Sequence, residues 1–188
     1  MGIKKRYDFI KMSKSELLGM LKEIHFPTQT RRSIRRDPSV KPTGFILGKI
    51  RNRKITQTKY NKKEIEDSQI TKRLPDLHRV AKEVMRKHNP NFRFTSIQVN
   101  KNNRTAKHTD GRNIGMSYMI GLGDYTGGEL LIYDEEGKNP KPYETKNRWI
   151  KFNGSIYPHE TAPFKGDRYT LVYYDIRELS KTDSKAFV

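Results

Sequence analysis

Apolar residues along this chain keep two different periods, and the change between them falls near residue 92. Upstream, Leu17, Leu18, Leu21 and Ile24 recur at helical spacing behind Ser13 and Glu16, a pair whose separation makes a capping box. Pro27 is expected to end that helix. Residues 27–43 show no period and read as a loop carrying Arg31, Arg32, Arg35 and Arg36, and Gly44–Gly48 reads as a short strand. Residues 51–73 are polar and basic. A second helix opens at Pro75, which suits a first helical turn. Its Leu77, Val80, Ala81, Val84 and Met85 follow the i, i+3, i+4, i+7, i+8 rule, with His78, Lys82 and Arg86 on another side. Asn89 and Pro90 stop it.

Beyond Phe92 the pattern becomes short β-branched and aromatic runs divided by Gly, Asp, Asn and Pro. Strands are predicted over 93–100, 115–121, 128–133, 147–152, 154–157 and 168–174. Gly127 and Gly128 allow a tight turn into the strand holding Leu130 and Ile132, and Trp149 and Phe152 read as sandwich core. Helices followed by many short strands predict a mainly β fold. The expected form is a double-stranded β-helix (jelly roll) with the N-terminal helices packed on one sheet; a generic β-sandwich shares the pattern. At 188 residues one domain is expected, with a basic helical and loop part over 1–92, a jelly-roll core over 93–175 and a tail over 176–188.

Charge sharpens this division. Residues 1–107 carry 28 Lys and Arg against 9 Asp and Glu, a balance of +19, whereas residues 108–188 carry 11 against 12. A basic half beside a neutral one attracts polyanions and speeds their encounter. The run Lys49–Lys54 fits phosphate contact or a solvated strand and loop equally well. No cysteine is present, which excludes disulfides, zinc–thiolate sites and iron–sulfur clusters. No apolar run of membrane-spanning length occurs, and the Lys-rich start lacks a signal-peptide apolar region, so an intracellular setting is expected, nuclear if the source is eukaryotic.

The chemistry concentrates in the second half. His108, Asp110 and the later His159 supply two imidazoles and one carboxylate, the set that occupies one face of an octahedral iron and leaves the other open. Arg168 and Thr170 stand two apart in a strand, so both face one side, where a guanidinium fork and a hydroxyl suit a carboxylate gripped bidentately. Triad and clamp together describe an oxygenase that uses 2-oxoglutarate. His25, His78 and His88 have no such partners and read as surface or satisfied core histidines.

The order Asn100, His108-Thr109-Asp110, Asn113, Gly121–Leu130, Asn153-Gly154-Ser155, His159 and Gly166-Asp167-Arg168 resembles the core of the Fe(II)/2-oxoglutarate dioxygenases. It is most similar to the branch of the ten-eleven-translocation 5-methylcytosine oxygenases and the base-J thymine hydroxylases, over roughly residues 93–175. The resemblance implies Fe(II) on His108, Asp110 and His159, with 2-oxoglutarate and O2 as cosubstrates. It also implies Arg168 and Thr170 on the distal carboxylate and Asn100 turned toward the cosubstrate. Asn113 holds either the substrate or the oxalyl end of 2-oxoglutarate, or is a turn asparagine. A nucleic-acid base is the implied substrate, most simply a pyrimidine methyl group in DNA rather than RNA. The chain departs from that branch in lacking a Cys-rich zinc module and a separate base-J-binding domain, so DNA would be engaged by residues 1–107. A protein side-chain hydroxylase acting on Pro, Lys, Asn or His is the alternative, and a basic jelly-roll binding module with a vestigial site is a third.

Overall fold

Strands of two antiparallel sheets and three helices make up the computed structural model, which describes residues 12–29, 41–51 and 65–176. Arg31, Arg32, Arg35 and Arg36, residues 52–54 of the basic run, and the tail beyond Ile176 lie outside the described residues. The N-terminal helix α1 (Lys14–Lys22) starts where the Ser13 hydroxyl accepts from the Glu16 N–H at 3.2 Å. It stops well before Pro27. Its last turn tightens into i→i−3 bonds, Glu23 N–H to Met20 and Ile24 N–H to Leu21, so no proline is needed to end it. Two short elements follow the first long strand, β1 (Thr43–Arg51), inside the stretch read only as polar and basic: β2 (Ile65–Asp67) and α2 (Gln69–Arg73). Helix α2 buries none of its residues and so leaves no apolar period to read. Helix α3 (Pro75–His88) runs as its pattern predicts, with Leu77, Val80, Ala81, Val84 and Met85 buried.

The remaining strands are β3 (Ser96–Lys101), β4 (Asn113–Gly127), β5 (Leu130–Ile132), β6 (Lys141–Tyr143), β7 (Ile150–Phe152), β8 (His159–Thr161) and β9 (Phe164–Ile176). The large sheet has the order β2-β1-β3-β9-β4-β7 and the small one β6-β5-β8. Segment 154–157, predicted as a strand, is a turn: the Ile156 and Tyr157 N–H groups both donate to the Asn153 carbonyl. The strand lies two residues later, in β8.

Alternation assigns the two faces of the large sheet. Phe45, Leu47, Ile97, Val99, Tyr118, Ile120, Leu122, Tyr169, Leu171 and Tyr173 pack in one cluster with α1 and α3. The intervening positions turn toward the small sheet, where Met119, Val172, Ile150 and Phe152 meet Leu130 and Ile132. The helices therefore cover the outer face, and the space between the sheets is left to the opposite parity. Trp149 follows the same rule. It is three residues from Phe152, so the two cannot share a strand face, and Trp149 lies on the helix side rather than in the sandwich core. There it stacks on His88 with 4.8 Å between ring centroids, packs near Tyr173, and gives that histidine its place at the edge of the outer cluster. Among the described residues, no helix is long and apolar enough to cross a membrane.

Candidate active site

Main-chain pairing brings His108 and His159 together. Each donates its N–H to the other's carbonyl, at 3.0 and 2.9 Å, so the two residues sit directly opposite and their rings lie 4.4 Å apart. Two further bonds extend this attachment to either side. Thr161 N–H reaches the Thr105 carbonyl at 3.2 Å, and Asp110 N–H reaches the Gly154 carbonyl at 2.7 Å. The segment carrying His108 and Asp110 is thus stitched along β8 and the turn before it. That pairing closes a sequence gap too long for any local motif.

The side chains converge on one point. Asp110 Oδ1 lies 3.8 Å from His108 Nε2, and Asp110 Oδ2 lies 3.7 Å from His159 Nε2. One ligand atom from each of the three residues falls within 4.8 Å of the others. Both imidazoles are held in the same tautomer. His108 Nδ1 sits 2.7 Å from the Ala106 carbonyl and His159 Nδ1 sits 3.0 Å from the Tyr157 carbonyl. A carbonyl oxygen only accepts, so each Nδ1 carries a proton and Nε2 is the nitrogen left to ligate beside Asp110. This is the outer-shell arrangement that fixes a metal-ligating histidine. Two imidazole nitrogens and one carboxylate on one side of a common point fit Fe(II).

Gly154 completes the wall. A Cβ there would stand 3.0 Å from Phe152, 3.1 Å from His159 Cε1 and 3.3 Å from Asp110 Oδ2. Gly154→Ala is therefore expected to displace both ligands while leaving the two sheets intact. Metal affinity should fall about 10- to 100-fold, the range for disturbing an outer-shell partner. Metal titration of the variant checks this, and wild-type affinity would show that the wall has room to give.

Arg168 lies deeper between the sheets and is only 2% exposed. Its Nη2 donates to the Gly128 carbonyl at 2.9 Å, and its guanidinium carbon is 5.5 Å from the ring centres of both Tyr125 and Phe164. Nε is buried without a hydrogen-bond partner. Burial pulls the guanidinium pKa down from its ordinary value, and the neighbouring Tyr125 opposes that shift. A buried cation with an unused donor fits an anionic ligand.

Thr170 and Asn100 are cross-strand partners in the β3–β9 ladder. Asn100 Nδ2 donates to Thr170 Oγ1 at 3.3 Å, while Asn100 Oδ1 accepts from Gln98 and Asn103 at 3.0 and 3.2 Å. With its oxygen already accepting, Thr170 has its own hydroxyl proton left to donate. Asn113 is buried at the start of β4, and its N–H closes the turn onto the Asp110 carbonyl at 2.8 Å. The structure thus brings Asn100 to Thr170, and Asn113 to the edge of the His–Asp–His cluster.

Two residues near Arg168 escaped the sequence reading. Tyr125 and Thr145 have hydroxyls 3.3 Å apart, and burial pushes the Tyr125 phenol up. Gly121 makes the room, since a Cβ there would collide with the Tyr125 hydroxyl. The parity of β4 was the available signal: 117, 119, 121 and 125 share a face, and Gly121 pairs with Thr170.

The sheet order, the outer helices and the His–Asp–His cluster give a jelly roll similar to that of 2OG-Fe(II) oxygenases of known structure. A 2OG-Fe(II) oxygenase family oxidoreductase from Burkholderia pseudomallei aligns over 87% of this chain and 81% of its own, with TM-score 0.53 and 14% identity. OsALKBH1 aligns over 86% of this chain and 91% of its own, also with TM-score 0.53 and 14% identity. NgTET1 in complex with 5mC DNA aligns over 45% of this chain and 34% of its own, at TM-score 0.38 and 23% identity, too loosely to bear on more. The sequence matches no protein-family profile and no curated protein sequence.

Proposed function

We propose that this chain is an Fe(II)- and 2-oxoglutarate-dependent dioxygenase that hydroxylates a nucleic-acid base, a pyrimidine methyl group in DNA ahead of other substrates. The observation that carries the reading is the pairing of the His108–Asp110–His159 cluster with a buried guanidinium whose Nε has no partner. A buried cation of that kind is costly unless a ligand uses it.

In this reading His108 Nε2, His159 Nε2 and one Asp110 oxygen hold the iron. Arg168 and the Thr170 hydroxyl hold the distal carboxylate, with Asn100 orienting Thr170. Asn113, at the edge of the cluster, faces the substrate or the oxalyl end of the cosubstrate. Bound iron and 2-oxoglutarate supply the oxidation: a C–H bond, O2 and 2-oxoglutarate become C–OH, succinate and CO2. The chain's part is to hold both cosubstrates in register and to limit water around the buried clamp.

Charge supports a polyanionic substrate, because residues 1–107 carry a balance of +19 and the half holding the ligands is near neutral. The motif order, which resembles that of the thymine and 5-methylcytosine oxygenases, supports a pyrimidine methyl group. A base in duplex would have to leave the stack, which costs a few kcal/mol.

The test is mass spectrometry of nucleosides after incubation with Fe(II), 2-oxoglutarate and methylated or unmethylated DNA and RNA. Gain of one oxygen on a base, absent with Asp110→Ala, is the expected result. Gain of one oxygen on peptides and on no nucleic acid would replace this reading with a protein hydroxylase.

A further inference from the structure

Behind the metal cluster, on the outer face of the small sheet, alternation sets out a second group of residues. Leu130 and Ile132 face the core between the sheets, and the ladder puts Ile132 opposite His159 and Leu131 opposite Glu160. Glu160 therefore takes the face opposite to the His159 ring. Tyr133 continues β5 by one position, since its N–H donates to the Pro158 carbonyl at 2.9 Å.

Three contacts meet at Tyr133. Its N–H holds Pro158, its hydroxyl donates to the Glu160 carboxylate, and the Lys107 ammonium stands 4.6 Å from its ring centre. Pro158 and Glu160 flank His159 in the chain, and Lys107 directly precedes His108. One residue thus touches the chain on both sides of one histidine and next to the other.

Each contact is itself held. The Lys107 ammonium donates to the Gly137 carbonyl at 3.1 Å. The turn presenting that carbonyl is closed by Asp134, whose main-chain oxygen accepts from Gly137 N–H at 2.9 Å. Its carboxylate accepts from Lys138 N–H at 2.7 Å and from the Asn139 amide at 2.8 Å. Glu160 is buried, and a buried carboxylate is costly unless hydrogen bonds satisfy it, so the Tyr133 hydroxyl is kept in place.

The metal ligands need such a support. Strand β8 has three residues, and the segment with His108 and Asp110 joins it through an isolated bridge and flanking main-chain bonds rather than a regular ladder. A ligand set works only when the shell behind it fixes its geometry. Resting on the metal-centre part of the reading above, we propose that Tyr133 is a positioning residue. It locks His108 and His159 in ligating geometry by gripping their chain neighbours from the outer face of the small sheet.

The experiment uses the full chain loaded with Co(II) under nitrogen, as a spectroscopic stand-in for iron. Tyr133→Phe keeps the ring beneath Lys107 and loses only the bond to Glu160. Its Co(II) affinity should fall about tenfold, the low end of the range for outer-shell partners, and its visible ligand-field bands should shift. Tyr133→Ala also removes the ring, and its affinity should fall further, toward about 100-fold. Tyr173→Phe is the control for general loosening, because it deletes a buried hydroxyl bond to the Ala81 carbonyl on the helix side of the large sheet. It should lower the melting temperature and leave Co(II) affinity and bands at their wild-type values. Wild-type affinity and bands in both Tyr133 variants would overturn the clamp and leave the metal centre standing. Equal losses of affinity in Tyr173→Phe and Tyr133→Phe would also overturn it, since the effect would then be global. A wild-type protein that binds neither Co(II) nor Fe(II) would overturn the metal centre itself.

Discussion

Asp110→Ala is expected to abolish iron binding and turnover while leaving the fold in place. The two effects separate because Asp110 does two jobs with different atoms. Its main-chain N–H and carbonyl hold the Gly154 and Asn113 segments, and alanine keeps both bonds. Its carboxylate spans the two imidazoles, 3.8 Å from His108 Nε2 and 3.7 Å from His159 Nε2, and alanine removes it. Losing the one anionic ligand should cost more than the roughly 100-fold upper range seen for outer-shell partners. The fold should persist, because alanine keeps both main-chain bonds of residue 110. Metal content after anaerobic loading, together with a thermal melt, checks both halves. A variant that retains a full complement of iron would place the metal elsewhere.

Much of this arrangement was legible in the sequence, and the rest was hidden for physical reasons. Helix α3 announces itself because it buries one face on a strict period, and the middles of β4 and β9 do so as apolar and aromatic runs buried on both faces. The short strands β6 and β8 do not, because three residues are too few to establish alternation, and β6 is exposed throughout. Trp149, an aromatic expected in the sandwich core, lies on the helix side because its parity is opposite to that of Phe152. Spacing two apart on one strand put Arg168 and Thr170 on one face, and the ladder shows Thr170 beside Asn100. Tyr125 reaches Arg168 diagonally across the β4–β9 ladder, and Thr145 is tied to β4 by the Gly121 N–H, pairings that no local spacing announces. The pairing of His108 with His159 was likewise tertiary, and residue types alone suggested it.

Arg168→Met should make the cosubstrate-free protein at least as stable as wild type and remove its response to 2-oxoglutarate. In the free state the guanidinium is buried, holds the Gly128 carbonyl through Nη2, and leaves Nε without a partner. Burial disfavours its charge, as the lowered pKa shows. Replacing buried charges with apolar side chains of similar volume is often neutral or stabilising by about 1–4 kcal/mol. Methionine is an unbranched apolar side chain that favours aromatic neighbours, and the guanidinium it replaces lies 5.5 Å from the Tyr125 and Phe164 ring centres. Wild type should gain about 2.7 kcal/mol from 2-oxoglutarate at 100 times its dissociation constant, because the ligand binds only the folded state. Arg168→Met should gain almost none. Arg168→Lys keeps the charge but loses the fork, and should keep a fraction of the gain at a weakened affinity. Denaturant melts with and without 2-oxoglutarate, under nitrogen with metal present, measure all three. An Arg168→Met protein with the full wild-type gain would put the carboxylate clamp on other residues. A protein destabilised by several kcal/mol without ligand would mean instead that the guanidinium serves the fold. A rise in free stability together with a lost ligand response is the signature of a cation kept for its cosubstrate at the expense of the fold.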